Sequence, residues 1–166
     1  KAIGYYEQVG KISSEDNLNV YQSNHYLALT NTFLKKYDLA ESYFRKNIEM
    51  AEGGYDRQAL FFMPSLHIFA NNFDRAIEAT GEYLEKLPSL ELPYVGENWQ
   101  FSNTHFDRFL SYSHNQQEDE SYNEIDLFAK YRMNIINYNK TSMTGSQYEE
   151  SKERLDYQVI LLNAWH

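Results

Sequence analysis

A chain of 166 residues with 42% hydrophobic residues is long and apolar enough to bury a continuous core, which excludes wholesale disorder. Its 7 Gly and 3 Pro are too few for the turns of an all-β sandwich, so composition points to helices, and 15 Tyr with 10 Phe suit half-buried helix faces and binding grooves. A net charge of −9 without a Lys/Arg run argues against nucleic-acid contact by this segment and against an anionic membrane surface, while the lack of cysteine excludes disulfides, thiol nucleophiles, Fe–S clusters and Cys-based zinc sites.

No apolar run reaches membrane-spanning length. The chain opens Lys1-Ala2-Ile3 with neither an initiator Met nor a leader, so it reads as a piece of a longer protein. The compartment stays open, with a lean to the cytoplasm.

In chain order, Lys1–Gly10 reads as a short helix carrying Ala2, Tyr6 and Val9. Asn17–Lys35 follows, with Val20, Leu27, Ala28, Phe33 and Leu34 apolar and Ser13, Ser14 and Asp16 available as N-caps. Leu39–Ala51 is the clearest amphipathic segment: Leu39, Ala40, Tyr43, Phe44, Ile48 and Ala51 make one stripe, and Gly53-Gly54 should stop it. Tyr55–Ala70 carries Leu60, Phe61, Leu66, Ile68 and Phe69, with Pro64 expected to kink the helix or delay its start. Phe73–Leu87 repeats the stripe with Phe73, Ala76, Ile77, Thr80, Tyr83, Leu84 and Leu87, and Pro88 ends it.

Residues 88–98 then read as an extended connection, with helix resuming at Trp99 and running to about Ser113. The polar stretch His114–Glu120 reads as a loop. Tyr122–Tyr138 is a further helix, with Ile125, Phe128, Ala129, Ile135 and Ile136 apolar. A Lys140–Ser146 turn follows, then a last helix from about Gln147 with Leu155, Val159, Leu162 and Trp165 along one side.

Two of these segments align on each other. Lys36-Tyr37-Asp38-Leu39-Ala40 matches Asn72-Phe73-Asp74-Arg75-Ala76, an offset of 36 residues, and Phe44, Ile48 and Ala51 then fall on Thr80, Leu84 and Leu87. Ala2, Tyr6 and Val9 fall where Ala40, Phe44 and Asn47 do, and Tyr122-Asn123-Glu124-Ile125 echoes the same turn and start. Phe106-Asp107-Arg108-Phe109 mimics the signature too, but Pro93 and Gly96 leave no first helix before it.

In these features the chain resembles the tetratricopeptide repeats, which have a period of about 34 residues built from two helices and a tight turn. Ala40 and Ala76 match the small residue early in the second helix, Tyr37 and Phe73 the aromatic before it, Phe44 the large apolar residue after it and Ala28 the small residue of the first helix. Thr80 and Pro64 depart from that pattern, and Pro88 alone matches the closing proline. The resemblance implies an all-α, α-α superhelix of antiparallel helix pairs with roughly six or seven helices, in one domain spanning 1–166. Repeat units fall at about 17–52, 55–88 and 99–138, with partial units at 1–12 and 147–166. The alternative is an irregular helical bundle.

Nothing in the sequence points to catalysis. No two of His25, His67, His105, His114 and His166 have the spacing that places metal ligands on one helix face, so they read as surface or core histidines. There is no glycine-rich phosphate loop and no Gly-x-Ser-x-Gly turn. Glu118-Asp119-Glu120 and Glu149-Glu150 read as solvated helix starts or loops. No catalytic residue, metal or cofactor is expected.

By position, the resemblance implies a concave groove lined by Gln22, His25, Leu29, Thr32 and Phe33 in one repeat and Gln58, Phe61, Ser65, Ile68 and Phe69 in the next. That lining is apolar and amide-rich rather than basic. It fits an extended or helical peptide with apolar anchors better than a peptide's terminal carboxylate. The expected function is a protein- or peptide-binding scaffold or regulatory module; the alternative is a sensor or accessory domain controlling an attached DNA-binding or signalling domain. Lys1–Gly10 resembles a second helix without its first, and Val159–Trp165 a first without its second, so self-association through exposed end helices is also expected.

Overall fold

The computed structural model describes residues 2–12, 17–50, 55–86 and 94–165. The chain is all-α: among the described residues there are eight α-helices, one short 3-10 turn and no strand. The expected N-caps Ser13, Ser14 and Asp16 and the stops at Gly53-Gly54 and Pro88 lie outside the described residues. Two compact units are formed, Lys1–Leu90 and Glu91–His166. Unit 1 holds α1 (Ala2–Ile12), α2 (Asn17–Phe33), α3 (Tyr37–Met50), α4 (Tyr55–Phe69) and α5 (Phe73–Lys86). Unit 2 holds α6 (Tyr94–His114), α7 (Glu118–Asn139) and α8 (Gly145–Ala164).

Three turns of one design join α2 to α3, α4 to α5 and α6 to α7. Lys35, Asn71 and Gln116 sit at their centres in the left-handed region, with φ of 58°, 56° and 59°. In each turn the next residue donates back into the preceding helix: Lys36 to the Asn31 carbonyl, Asn72 to that of His67, Gln117 to that of Tyr112. The same residue's carbonyl then accepts the first bond of the following helix, from Ala40, Ala76 and Ser121. The last carbonyls of one helix and the first amide of the next are thus satisfied within three residues.

The turns put equivalent side chains in register. Ala28, Pro64 and Phe109 stand at one distance before the turn residue. Ala40, Ala76 and Ser121 stand at one distance after it, followed by Phe44, Thr80 and Ile125 and then by Asn47, Tyr83 and Phe128; all are buried. The small residue lets the two helices of a pair approach closely beside the turn. In unit 2 that residue is Ser121, and its burial is compensated by a 2.8 Å hydrogen bond with Ser113. Phe106–Phe109 lie inside α6 rather than at a turn.

Three boundaries differ from the sequence expectation. First, α6 starts at Tyr94, so 94–98 are helical rather than extended; the extra turn lets buried Asn98 accept a 3.0 Å hydrogen bond from Asn134. Second, α7 starts at Glu118, because Glu118, Asp119 and Glu120 fill its first turn, where the helix dipole favours acids. Third, Pro64 does not delay α4, which begins at Tyr55 and runs through it.

The unit 1 core joins Ala28, Ala40, Phe44, Ala59, Met63, Leu66 and Ala79. Leu39, expected in the stripe, is exposed, and Asn47 is buried instead, donating to the Tyr21 carbonyl at 3.0 Å. An ion ladder ties α3 to α5: Glu41 accepts from Arg75 at 2.7 Å and Glu82 from Arg45 at 2.8 Å. In unit 2, α8 packs on α7 with Leu155 buried and Val159 and Leu162 half-buried, whereas Trp165, expected in the same stripe, is exposed and lies beside Phe109 and His114 of α6. A capping box between Thr144 and Gln147 starts α8.

Candidate functional site

Within unit 1, α2 and α4 run side by side, each followed by its own turn and partner helix. At the turn end, a groove of about 490 Å³ opens between α2, α3 and α4. From α2 and its turn it takes Leu29, Thr32, Phe33 and Lys35; from α3, Tyr37 and Phe44; from α4, Phe62, Ser65, Leu66 and Phe69. Phe44 and Phe62 stack at 6.3 Å with their planes 6° apart. Phe33 and Phe69, one repeat apart, are 86% and 65% exposed. The Thr32 hydroxyl donates to the Ala28 carbonyl at 3.0 Å, so that donor is satisfied within its own helix.

Of the ten residues expected in the groove, Leu29, Thr32, Phe33, Ser65 and Phe69 line it. Gln22 and Gln58 are exposed but outside it, and Ile68 is half-buried and outside it. Phe61 points elsewhere, making an edge contact with Tyr83 of α5 at 5.9 Å. Phe61 is turned towards Tyr83 and Phe62 towards Phe44, so Phe62 is the one that faces the groove.

His25 lies behind the lining, with its ring 6.1 Å from Phe44 and 5.4 Å from Phe62. Its Nδ1 is buried without a hydrogen-bond partner, and burial holds its pKa below the ordinary value, so the ring is neutral at pH 7. It serves as a packing aromatic there. Phe62 and Leu66, which sequence reasoning missed, sit in the same first-helix pattern as the expected set. Tyr37 and Phe44 belong to the second helix, and the turn signature that contains them was the available signal.

A larger hollow of about 620 Å³ lies between α1, α2 and α3, but Glu7, Lys46 and Glu49 line it. Charged walls hold water, and the nearly apolar groove is the better candidate for capturing apolar side chains.

The most developed charged cluster is in unit 2. The His105 Nδ1 and Glu124 Oε2 are 2.6 Å apart, Arg108 Nε donates to Glu124 Oε1 at 2.8 Å, and Arg108 Nη2 donates to the Tyr112 hydroxyl at 2.8 Å. Burial pushes the Glu124 carboxyl up, but the hydrogen bonds from His105 and Arg108 and the Arg108 charge outweigh it, leaving its pKa below the ordinary value. Both carboxylate oxygens are engaged, and Tyr131 stacks on the imidazole at 5.4 Å. This arrangement binds α6 to α7. Sequence reasoning missed it because the two residues meet only once the α6–α7 turn is fixed. Among the described residues no group of three His, Asp or Glu side chains could hold a metal ion, and no helix is long and apolar enough to cross a membrane.

No protein-family model matches the chain, and comparison with curated proteins finds no match.

Proposed function

We propose that this chain is a protein- or peptide-binding helical-repeat module, similar to the tetratricopeptide repeats, that performs no catalytic step and holds its ligand in the groove of unit 1. The observation that carries this reading is the pair Phe33 and Phe69, 86% and 65% exposed on the rim of an apolar groove. Each large apolar side chain left in water forgoes roughly 1.5–3 kcal/mol of burial free energy, which a partner covering it recovers. A contiguous exposed apolar surface of this kind is characteristic of interaction sites. The floor, stacked Phe44 and Phe62, is rigid, so a ligand side chain would enter without ordering it first. An extended or helical peptide with apolar anchors suits these walls.

The test is peptide selection from a displayed random library on the intact chain, repeated on Phe33→Ser/Phe69→Ser. Phe61 is left alone because it packs against Tyr83. Enriched peptides should carry apolar anchors and bind the double variant at least tenfold more weakly. Selected peptides that bind both proteins equally would remove the groove from consideration.

A further inference from the structure

Unit 2 contains a cation without a counter-charge. Arg132, on α7, is half-buried and forms no ion pair among the described residues. Its Nη2 donates to the Asn103 Oδ1 at 3.0 Å, its Nε is buried without an acceptor, and its Cζ lies 5.4 Å from the Phe128 ring centre. Burial lowers its proton affinity. Acids are not scarce: the chain has 24 Asp and Glu against 15 Lys and Arg, and Arg45, Arg75, Arg108 and Arg154 each hold a carboxylate. Desolvating a guanidinium is costly unless an anion accepts its donors.

The surroundings specify what that anion would be. Arg132 lines a groove of about 350 Å³ between α6, α7 and α8, whose other walls are Phe106, Phe128, Leu161 and Leu162, with the amides of Asn103 and Gln158. The volume is near the small end of the range for small-molecule sites, roughly 300–1,000 Å³. One guanidinium balances one negative charge, and its planar donors match a carboxylate. The apolar walls disfavour a strongly hydrated dianion and favour an anion with an apolar body.

We infer that the α6–α7–α8 groove binds a small apolar monocarboxylate, aliphatic or aromatic, with Arg132 pairing its carboxylate and Phe106, Phe128 and Leu161 covering its body. The site is separate from the peptide groove of unit 1, and neither depends on the other.

Octanoate is the probe, with octanol and octylamine as controls, each titrated into the intact chain by calorimetry. Octanoate should bind saturably and at least tenfold more tightly than either control. Arg132→Gln should reduce octanoate to the level of octanol, and Leu161→Trp, at an exposed position on the wall, should block it with Arg132 still in place. Phe33→Ser/Phe69→Ser should leave octanoate binding unchanged. Far-UV circular dichroism checks the fold, and if Arg132→Gln unfolds, the octanol comparison and Leu161→Trp decide. Octanoate and octanol binding alike, octanoate binding unaltered by Arg132→Gln or Leu161→Trp, or no octanoate binding at all, would each overturn the inference.

Discussion

The Arg108–Glu124–His105 cluster makes a quantitative prediction, because the turn register supplies its apolar counterpart. Arg108, Glu124 and His105 occupy the positions of Met63, Ala79 and Leu60 in the middle pair, which are all buried. Glu124→Gln removes the charge and keeps the shape. Breaking a buried ion pair by neutralising one partner costs about 3–5 kcal/mol when the other is left wholly buried. Arg108 is 20% exposed at its side chain and keeps its bond to Tyr112, which moves the expected loss to roughly 2–3 kcal/mol. Trp99 and Trp165 both lie in unit 2, so urea unfolding followed by tryptophan fluorescence reports on that unit.

The triple variant Arg108→Met/Glu124→Ala/His105→Leu copies the middle pair and should be more stable than Glu124→Gln, since an ion cluster replaced by apolar residues is often no less stable, with the smaller alanine holding back part of the gain. The pH dependence follows in sign. The Glu124 carboxyl is held below its ordinary value of 4.5, so its contribution is present above that value and is lost as pH falls through the lower folded value. The gap between wild type and Glu124→Gln should therefore close as pH falls below 4.5. A gap that stays constant with pH, or a triple variant as unstable as Glu124→Gln, would refute the account of an uncompensated charge.

Two further outcomes follow from the turns. Gln116→Gly should stabilise unit 2 by about 0.5–1 kcal/mol in the same urea assay, because a non-glycine side chain at φ 59° carries strain that glycine lacks; Asn71→Gly at φ 56° should gain less, since asparagine tolerates this region. Ala40→Leu, at a fully buried position beside the α2–α3 turn, should cost about 3 kcal/mol or more in thermal unfolding by forcing the paired helices apart; a loss under about 1 kcal/mol would show that the close approach there is not required.

The parts of the fold legible in the sequence are those set by residues at fixed distances from a turn. Ala40 and Ala76 could be found because alanine recurs at the 36-residue spacing of Lys35 and Asn71. The third pair was harder to place for two reasons. Its small residue is Ser121, whose hydroxyl needs Ser113 before burial is tolerable, and nothing in composition reveals that partnership. Its turn comes 45 residues after Asn71, because α6 has 21 residues where α4 has 15 and because the connection before it is longer. The echo at Tyr122–Ile125 puts Ile125 where Ala40 stands, four residues past Ser121. The acidic run 118–120 looked like a loop for a related reason: charge density favours solvent in either structure, and only the preceding turn makes it the first turn of a helix.

The groove was half legible on the same principle. Phe33 and Phe69 follow the repeat and are exposed together, whereas Phe61 and Phe62 compete for one face, and the choice between them depends on packing partners, Tyr83 for one and Phe44 for the other. Arg132 marks the opposite case. As a lone arginine in an acidic chain it carries no signal, since most such residues find a carboxylate at the surface. It becomes informative when two facts meet: the walls around it are Phe106, Phe128, Leu161 and Leu162, and among the described residues it forms no ion pair. Repetition makes a scaffold readable, and a site within it is read from the side chains that the folded helices bring together.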